Sequence, residues 1–285
     1  MNFSGPVENP DLVVLSLGAG VQSTVMALMA AHCEIEPMPD GAIFADTGWE
    51  PAPVYDHLEW LTTALHNHFP VHIVTKGNLR DDALSAKTSG TPGYAGRWAS
   101  MPWFVLKPDG TKGMLPRQCT KEYKIDPVNT KIRRLLGVGY RQRMPKGTKV
   151  EVWMGISYDE IIRMKPSRQK YLEHRWPLIE KELHRGHCLA WFAENYPGRP
   201  LIKSACIGCP YHNNAQWREI KENANEWAEV VEFDRTIRHA NGINSNFAMF
   251  LHRDCIPLDE VDLRTKEEKG QGNFFLEECE GMCGV

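Results

Sequence analysis

The sequence predicts an α/β fold built on a parallel sheet, and three observations carry that prediction. The first is Leu12 to Ala31, LVVLSLGAGVQSTVMALMAA, where a short apolar run breaks into a loop of small residues from Ser16 to Gln22 and Ser23 and Thr24 then open a helical pattern. The second is the alternation that follows: a strand over 41–45, a helix from Pro53 to about Asn67 with Val54, Leu58, Leu61 and Leu65 on one face, and a strand over 71–74. The third is the chemistry at the strand ends. The loop after the first strand and Asp46-Thr47-Gly48 after the second both fall where parallel sheets bind ligands.

The first loop matters because of its backbone. Successive N–H groups there, with the unpaired N–H groups of the first helical turn, form a positive concavity suited to phosphate or sulfate, and Gly18 and Gly20 let the chain approach closely. The same spacing also fits an ordinary glycine-containing turn.

The first helix is expected to end near His32. From 77 to 118 periodicity is lost, and an insertion of that length reads as a lid or binding loop. Lys124 to Leu136 is an expected helix, Val150 to Ile156 an expected strand ending near Gly155, Ser157 to Arg168 a polar loop, and Arg185 to Asn195 a helix. Beyond Ser204 come a cysteine pair, one long helical pattern to about His239, and a loop-rich tail. The expected organisation is an α/β unit over 1–203, carrying the insertion at 77–118, and a cysteine-containing helical extension over 204–285.

Of 285 residues, 24% are charged and 42% hydrophobic, as in an ordinary globular protein, and the net charge of −3 excludes a globally basic nucleic-acid binder. A local basic face remains open between Lys112 and Lys149. The start, MNFSGPVENPD, lacks a basic and apolar leader, and no apolar run approaches about 18 residues, so the expectation is a cytoplasmic protein with no membrane span. In a reducing compartment eight cysteines are expected as thiols or metal ligands. Cys206-Ile207-Gly208-Cys209-Pro210 places two thiols at metal-gripping spacing, with Gly208 permitting the turn and Pro210 ending it; Cys119, Cys255, Cys279 and Cys283 are candidate further ligands. Cys33 and Cys188 read as core residues on apolar helical faces.

Taken together, SLGAGVQST, the DTG at 46–48, Gln118-Cys119 with Lys124 and Pro127, GISYDEIIR at 155–163, WPLIE at 176–180 and CIGC resemble the phosphoadenosine phosphosulfate reductase family, within the PP-loop adenine nucleotide α-hydrolases. The resemblance runs in order from about Leu12 to Pro210. It implies a five-stranded parallel sheet of the HUP type with helices on both faces, followed by the cysteine-bearing extension. It also implies an adenine nucleotide across the strand ends, its phosphate or sulfate held by Ser16, Gly18, Gly20, Gln22, Ser23 and Thr24. Arg163 and Lys124 would neutralise the anion. Asp46, with Thr47 and Gly48, would hold a ribose or a metal, or Asp46 would cap the following helix.

Two departures bear on the reaction. Gln22 stands where ATP pyrophosphatases of the group carry a magnesium-associated Asp, which resembles the sulfonucleotide reductases. Gln118 stands where cluster-bearing reductases carry the first of two adjacent cysteines. The terminus, Glu278-Cys279-Glu-Gly-Met-Cys283, resembles the mobile Glu–Cys–Gly tail of that family, with one cysteine more. The reading is a [4Fe–4S] cluster on Cys119, Cys206, Cys209 and Cys279, with Cys283 as the nucleophile; the reverse order of the tail cysteines, or a structural zinc on four thiolates, are the alternatives.

The function implied is reduction of an adenylyl sulfate, with or without a 3′-phosphate, with a thiol or thioredoxin-like reductant. The alternative is an ATP- and magnesium-dependent thiolation enzyme acting on a nucleotide or on nucleic acid. Trp98, Trp103 and the basic residues from Lys107 to Lys124 fit a nucleic-acid strand, stacked and neutralised, and equally an insertion that packs its own aromatics. His184, His187 and His212 show no metal spacing, and the acids from Glu219 to Glu232 read as a solvated helix face.

Overall fold

The computed structural model describes residues 5–85, 101–238, 247–265 and 268. Its centre is the expected five-stranded parallel sheet. The strands are β1 (Leu12–Leu17), β2 (Gly41–Asp46), β3 (Val71–Thr75), β6 (Val150–Met154) and β7 (Leu172–Arg175), in the spatial order β3-β2-β1-β6-β7. Order reverses between β1 and β6, so the crevice at their carboxyl ends is the switch point where ligands of open α/β sheets sit. Register aligns these ends: Leu17 pairs with Phe44, Ser16 with Met154 and Asp46 with Thr75.

Helix α1 (Val21–Ala31) is buried along nearly its whole length, because it packs between the sheet and α6 (Arg185–Asn195) while also touching α2 (Ala52–Leu65). Pro53 sits in the first turn of α2, where its missing N–H costs nothing. Cys33 departs from the core reading. The helix has ended, Cys33 takes φ 59° in the turn that closes it, and its side chain is exposed. Cys188 is buried as expected, and burial pushes its thiol up to about 12.

The described parts of the insertion, 77–85 and 101–118, carry regular structure. They contribute α3 (Leu79–Ser85), β4 (Phe104–Leu106) and β5 (Lys112–Met114), and β4 also pairs antiparallel with β8 (Ala248–Phe250) from the C-terminal part. Trp103 is 2% exposed and meets Phe233 edge-on at 6.0 Å, so it is a core residue and not a platform for bases; Trp98 lies outside the described residues. The helical pattern after Ser204 is two helices, α7 (Asn214–Glu222) and α8 (Ala224–Ile237). Asn223 breaks it by accepting from the N–H groups of Asn225 and Glu226 as the cap of α8.

These pieces share one core. Trp49, Leu79, Met101, Trp103, Trp217, Val230, Phe233 and Leu251 are all buried in the same cluster, which joins the insertion, the DTG turn and the extension. Buried Asp234 of α8 ties the end of the chain to it by accepting from the N–H groups of Leu251 (2.8 Å) and Leu258 (3.1 Å) and from Arg238. The acidic face of α8 is partly anchored as well, since Glu229 accepts from the Trp49 indole at 2.8 Å and pairs with Arg80 at 3.1 Å.

Candidate functional site

The loop after β1 starts at Gly18, since Ser16 still belongs to the strand. Ala19 is held at φ 53°, a left-handed conformation that non-glycine residues seldom adopt, and Gly20 precedes α1 without any side-chain cap. The open N–H groups of the first helical turn therefore face the crevice. Ser23 braces this loop from inside: its hydroxyl accepts from Gly18 N–H at 3.1 Å and donates to Gly20 O at 3.3 Å. Thr24 is fully buried beneath, sharing a 3.0 Å hydrogen bond with His57 Nε2, and burial lowers the His57 pKa to about 4. Ser23 and Thr24 thus shape the loop from within. The segment after β6 closes in tightly, for a Cβ on Gly155 would lie 2.9 Å from Ser23 N and Cα.

Asp46 ends β2 and organises its own turn, accepting from Gly48 N–H at 2.7 Å and from Tyr55 Oη at 3.0 Å. Burial, reinforced by the neighbouring carboxylates, raises the Tyr55 pKa and keeps the phenol protonated as donor. Asp46 does not cap α2, whose first residue is Ala52. Gly48 needs its φ of 68°, and Asn78 seals the turn by donating to Gly48 O at 2.8 Å.

Three of the predicted cysteines come together. Cys119, Cys206 and Cys209 line one recess together with Thr47, Arg117, Lys124 and Tyr211. Cys119 and Lys124 reach it from a π-helical turn, Thr120–Ile125, that runs into α4 (Asp126–Leu135). The cysteine pair is clamped to the DTG turn: Ile207 N–H donates to Trp49 O at 2.9 Å, and Thr47 Oγ1 lies 3.3 Å from Cys206 Sγ. Gly208 is required for a reason other than the turn. A Cβ there would lie 2.1 Å from Cη2 of Trp49, so the ring lies flush against the cysteine loop. On the other side, a Cβ on Gly20 would lie 3.6 Å from the Ser204 nitrogen, so the segment entering the cysteine pair borders the loop after β1.

Glu50 went unnoticed in the sequence. It is 3% exposed, its Oε1 accepts from Thr47 (3.1 Å) and the Cys206 thiol (3.5 Å) and faces Lys124 Nζ at 3.9 Å, and its Oε2 is buried with no hydrogen-bond partner. Lys124 therefore belongs to the recess, beside the thiols. His212 supports the pair from beneath through its 2.9 Å contact with Cys206 O, and burial lowers its pKa to about 4.

Among the described residues no three His, Cys, Asp or Glu side chains form a ready single-ion site. Cys119, Cys206 and Cys209 nonetheless border one recess, and the unpartnered Glu50 oxygen lies behind Cys206. Cys279 and Cys283 lie outside the described residues. Cys255 is buried away from the recess, with its thiol near Val105 O, and burial raises its pKa.

Arg163 ends a 3₁₀ turn, Tyr158–Arg163, and pairs with buried Glu160 at 2.7 Å. Gln22 links this turn to the loop, its Nε2 donating at 3.4 Å to both Ser157 Oγ and Glu160 Oε2 while its Oε1 accepts from Arg185 Nη1 at 3.2 Å. No helix among the described residues is long and apolar enough to cross a membrane.

No protein-family model and no curated protein matches the sequence. Solved structures with a similar fold include a phosphoadenylyl-sulfate reductase from Candida auris in a phosphate complex, 16% identical over 64% of this chain and 72% of that one, with a TM-score of 0.37. They also include the U34-tRNA thiolase NcsA from Methanococcus maripaludis with its [4Fe–4S] cluster, 13% identical over 82% of this chain and 74% of that one, with a TM-score of 0.39. Both likenesses are distant.

Proposed function

We propose that the chain is an adenine-nucleotide-dependent enzyme of sulfur chemistry, a sulfonucleotide reductase in its leading form. The observation that carries the reading is the clamp between the DTG turn and the cysteine pair, Thr47 Oγ1 to Cys206 Sγ at 3.3 Å and Ile207 N–H to Trp49 O at 2.9 Å. It sets thiols against the carboxyl-end crevice of the sheet, the position in which a nucleotide's reactive end meets sulfur.

In this reading the loop amides and neighbouring cations bind the nucleotide's anionic end, and Asp46 with its turn lies beside the sugar. Cys119, Cys206, Cys209 and Cys279 would hold a [4Fe–4S] cluster, with zinc as the alternative. Such a cluster, when bound, would supply iron with an affinity for sulfur. The Cys283 thiolate attacks the sulfate sulfur, the bond from sulfur to the bridging oxygen breaks, and the nucleotide leaves with that electron pair on its phosphate. A second thiol, from an external reductant, then attacks the S-sulfonated cysteine, releases sulfite and forms a disulfide.

ATP-dependent thiolation of a nucleotide or nucleic acid is the second reading. It is favoured by residues 127–149, which carry seven Lys or Arg and no acid, and by Tyr140, which stands 88% exposed among them. The deciding experiment offers ATP, adenylyl sulfate and its 3′-phosphorylated form to anaerobically purified protein with dithiothreitol. Sulfite release from either sulfonucleotide is expected. Pyrophosphate from ATP with no sulfite from either would replace the leading reading with the second.

A further inference from the structure

The geometry points to Arg185 as the side chain that binds the tetrahedral oxyanion of the nucleotide at the loop after β1, with Arg163 serving as the fixed counter-ion of Glu160. This rests on the proposed nucleotide site and goes beyond it, because the resemblance gives the anion to Arg163 and Lys124 and assigns nothing to Arg185.

Arg163 is committed elsewhere. Glu160 is only 5% exposed, and its Oε2 lies 2.7 Å from the Arg163 guanidinium, so turning Arg163 toward a ligand would strand a buried carboxylate. Lys124 faces the thiol recess, 3.9 Å from Glu50. Arg185 is differently placed. It is half-buried in the first turn of α6, and among the described residues its guanidinium has no carboxylate within ion-pair distance; Asp159 is engaged instead by the Arg185 backbone N–H at 2.9 Å and by His184 at 4.0 Å.

Gln22 aims that guanidinium. Its Nε2 is committed to Ser157 and Glu160, which leaves Oε1 to accept from Arg185 Nη1 at 3.2 Å. Gln22 also sits in the uncapped first turn of α1, so the Arg185 fork and the open backbone N–H groups face the same crevice. An Asp at position 22 would pair with Arg185 and cancel its charge. The neutral amide orients the guanidinium and leaves its charge for the ligand, which suits an anion bound without a divalent cation.

The test is titration calorimetry with adenosine 5′-phosphosulfate in chelator, alongside thermal unfolding of each variant. Arg185→Gln is expected to weaken binding by about tenfold or more with little change in melting temperature, and Arg185→Lys to recover part of it. The double variant Glu160→Gln with Arg163→Gln removes the buried pair together, so no carboxylate is left to recruit Arg185; its affinity is expected within about threefold of the parent. Parent-like binding by Arg185→Gln, or a tenfold loss confined to the double variant, would overturn the assignment. Absence of binding by the parent to both adenosine 5′-phosphosulfate and ATP would instead remove the nucleotide site itself, and the assignment with it.

Discussion

Gly208→Ala places a methyl group against the Trp49 ring, which joins the cysteine pair to the turn after β2. The new Cβ would lie 2.1, 2.5 and 2.9 Å from Cη2, Cζ3 and Cζ2 of Trp49, where ordinary contact begins near 3.4 Å. The ring has nowhere to retreat. It is 3% exposed, packs on Phe233 at 4.7 Å between centroids and donates to Glu229 at 2.8 Å. Overpacking of this kind costs about 1–3 kcal/mol, and displacement of the indole forfeits a hydrogen bond to a charged acceptor worth about 1–2 kcal/mol more. A total of about 2–5 kcal/mol corresponds to a fall of roughly 4–10 °C in melting temperature for a chain of this size. Calorimetry of the parent, Gly208→Ala, Trp49→Phe and the double variant measures it. Phe lacks the atoms that clash, so the double variant should recover at least about 1 kcal/mol relative to additivity. An unchanged melting temperature for Gly208→Ala, or strict additivity in the cycle, would refute the clamp.

Gly155→Ala should be at least as damaging, because its Cβ would meet the backbone of Ser23 at 2.9 Å; soluble protein with parent-like nucleotide binding would contradict the close approach of β6 to the loop. Thr47→Val deletes the hydroxyl shared by Cys206 and Glu50 and should cost about 1–3 kcal/mol in urea unfolding, since buried Glu50 then loses a donor; no loss would deny the recess its hydrogen-bond order. His57 gives a pH signature. Its folded pKa of about 4 lies below the ordinary 6.5, so as pH falls below about 6.5 the unfolded chain takes up the proton first. Stability contributed by neutral His57, up to about 3 kcal/mol, should be present above pH 6.5 and lost progressively toward pH 4. His57→Gln should flatten that slope, and an unchanged slope would assign it to other groups.

The sheet was legible where strands are buried on both faces. β1, β2 and β6 read as apolar runs broken by turn residues, and the crevice followed from the crossovers. β7 was not, because LEHR is an edge strand with polar positions and its partner β6 alone defines it. The antiparallel sheet was hidden for another reason: its strands are three residues long, and β4 pairs with a segment more than a hundred residues away. Spacing exposed Cys206 and Cys209 and the resemblance supplied Cys119, yet Glu50 looks in sequence like a surface acid before a proline. Only the fold reveals its burial beside Cys206. Gln22 was read as a loss of the magnesium-associated Asp, whereas its structural content is positive: it connects Arg185 to the loop, and no local pattern announces a partner 163 residues distant.

The proposed union of the thiol recess with a nucleotide site in the strand-end crevice is tested most directly by the visible spectrum of anaerobically purified protein, recorded with iron analysis during addition of adenosine 5′-phosphosulfate. A brown protein with about four irons per chain is expected, its absorption perturbed as the nucleotide binds. A colourless protein with stoichiometric zinc, or an iron-loaded one whose spectrum ignores saturating nucleotide, would contradict it.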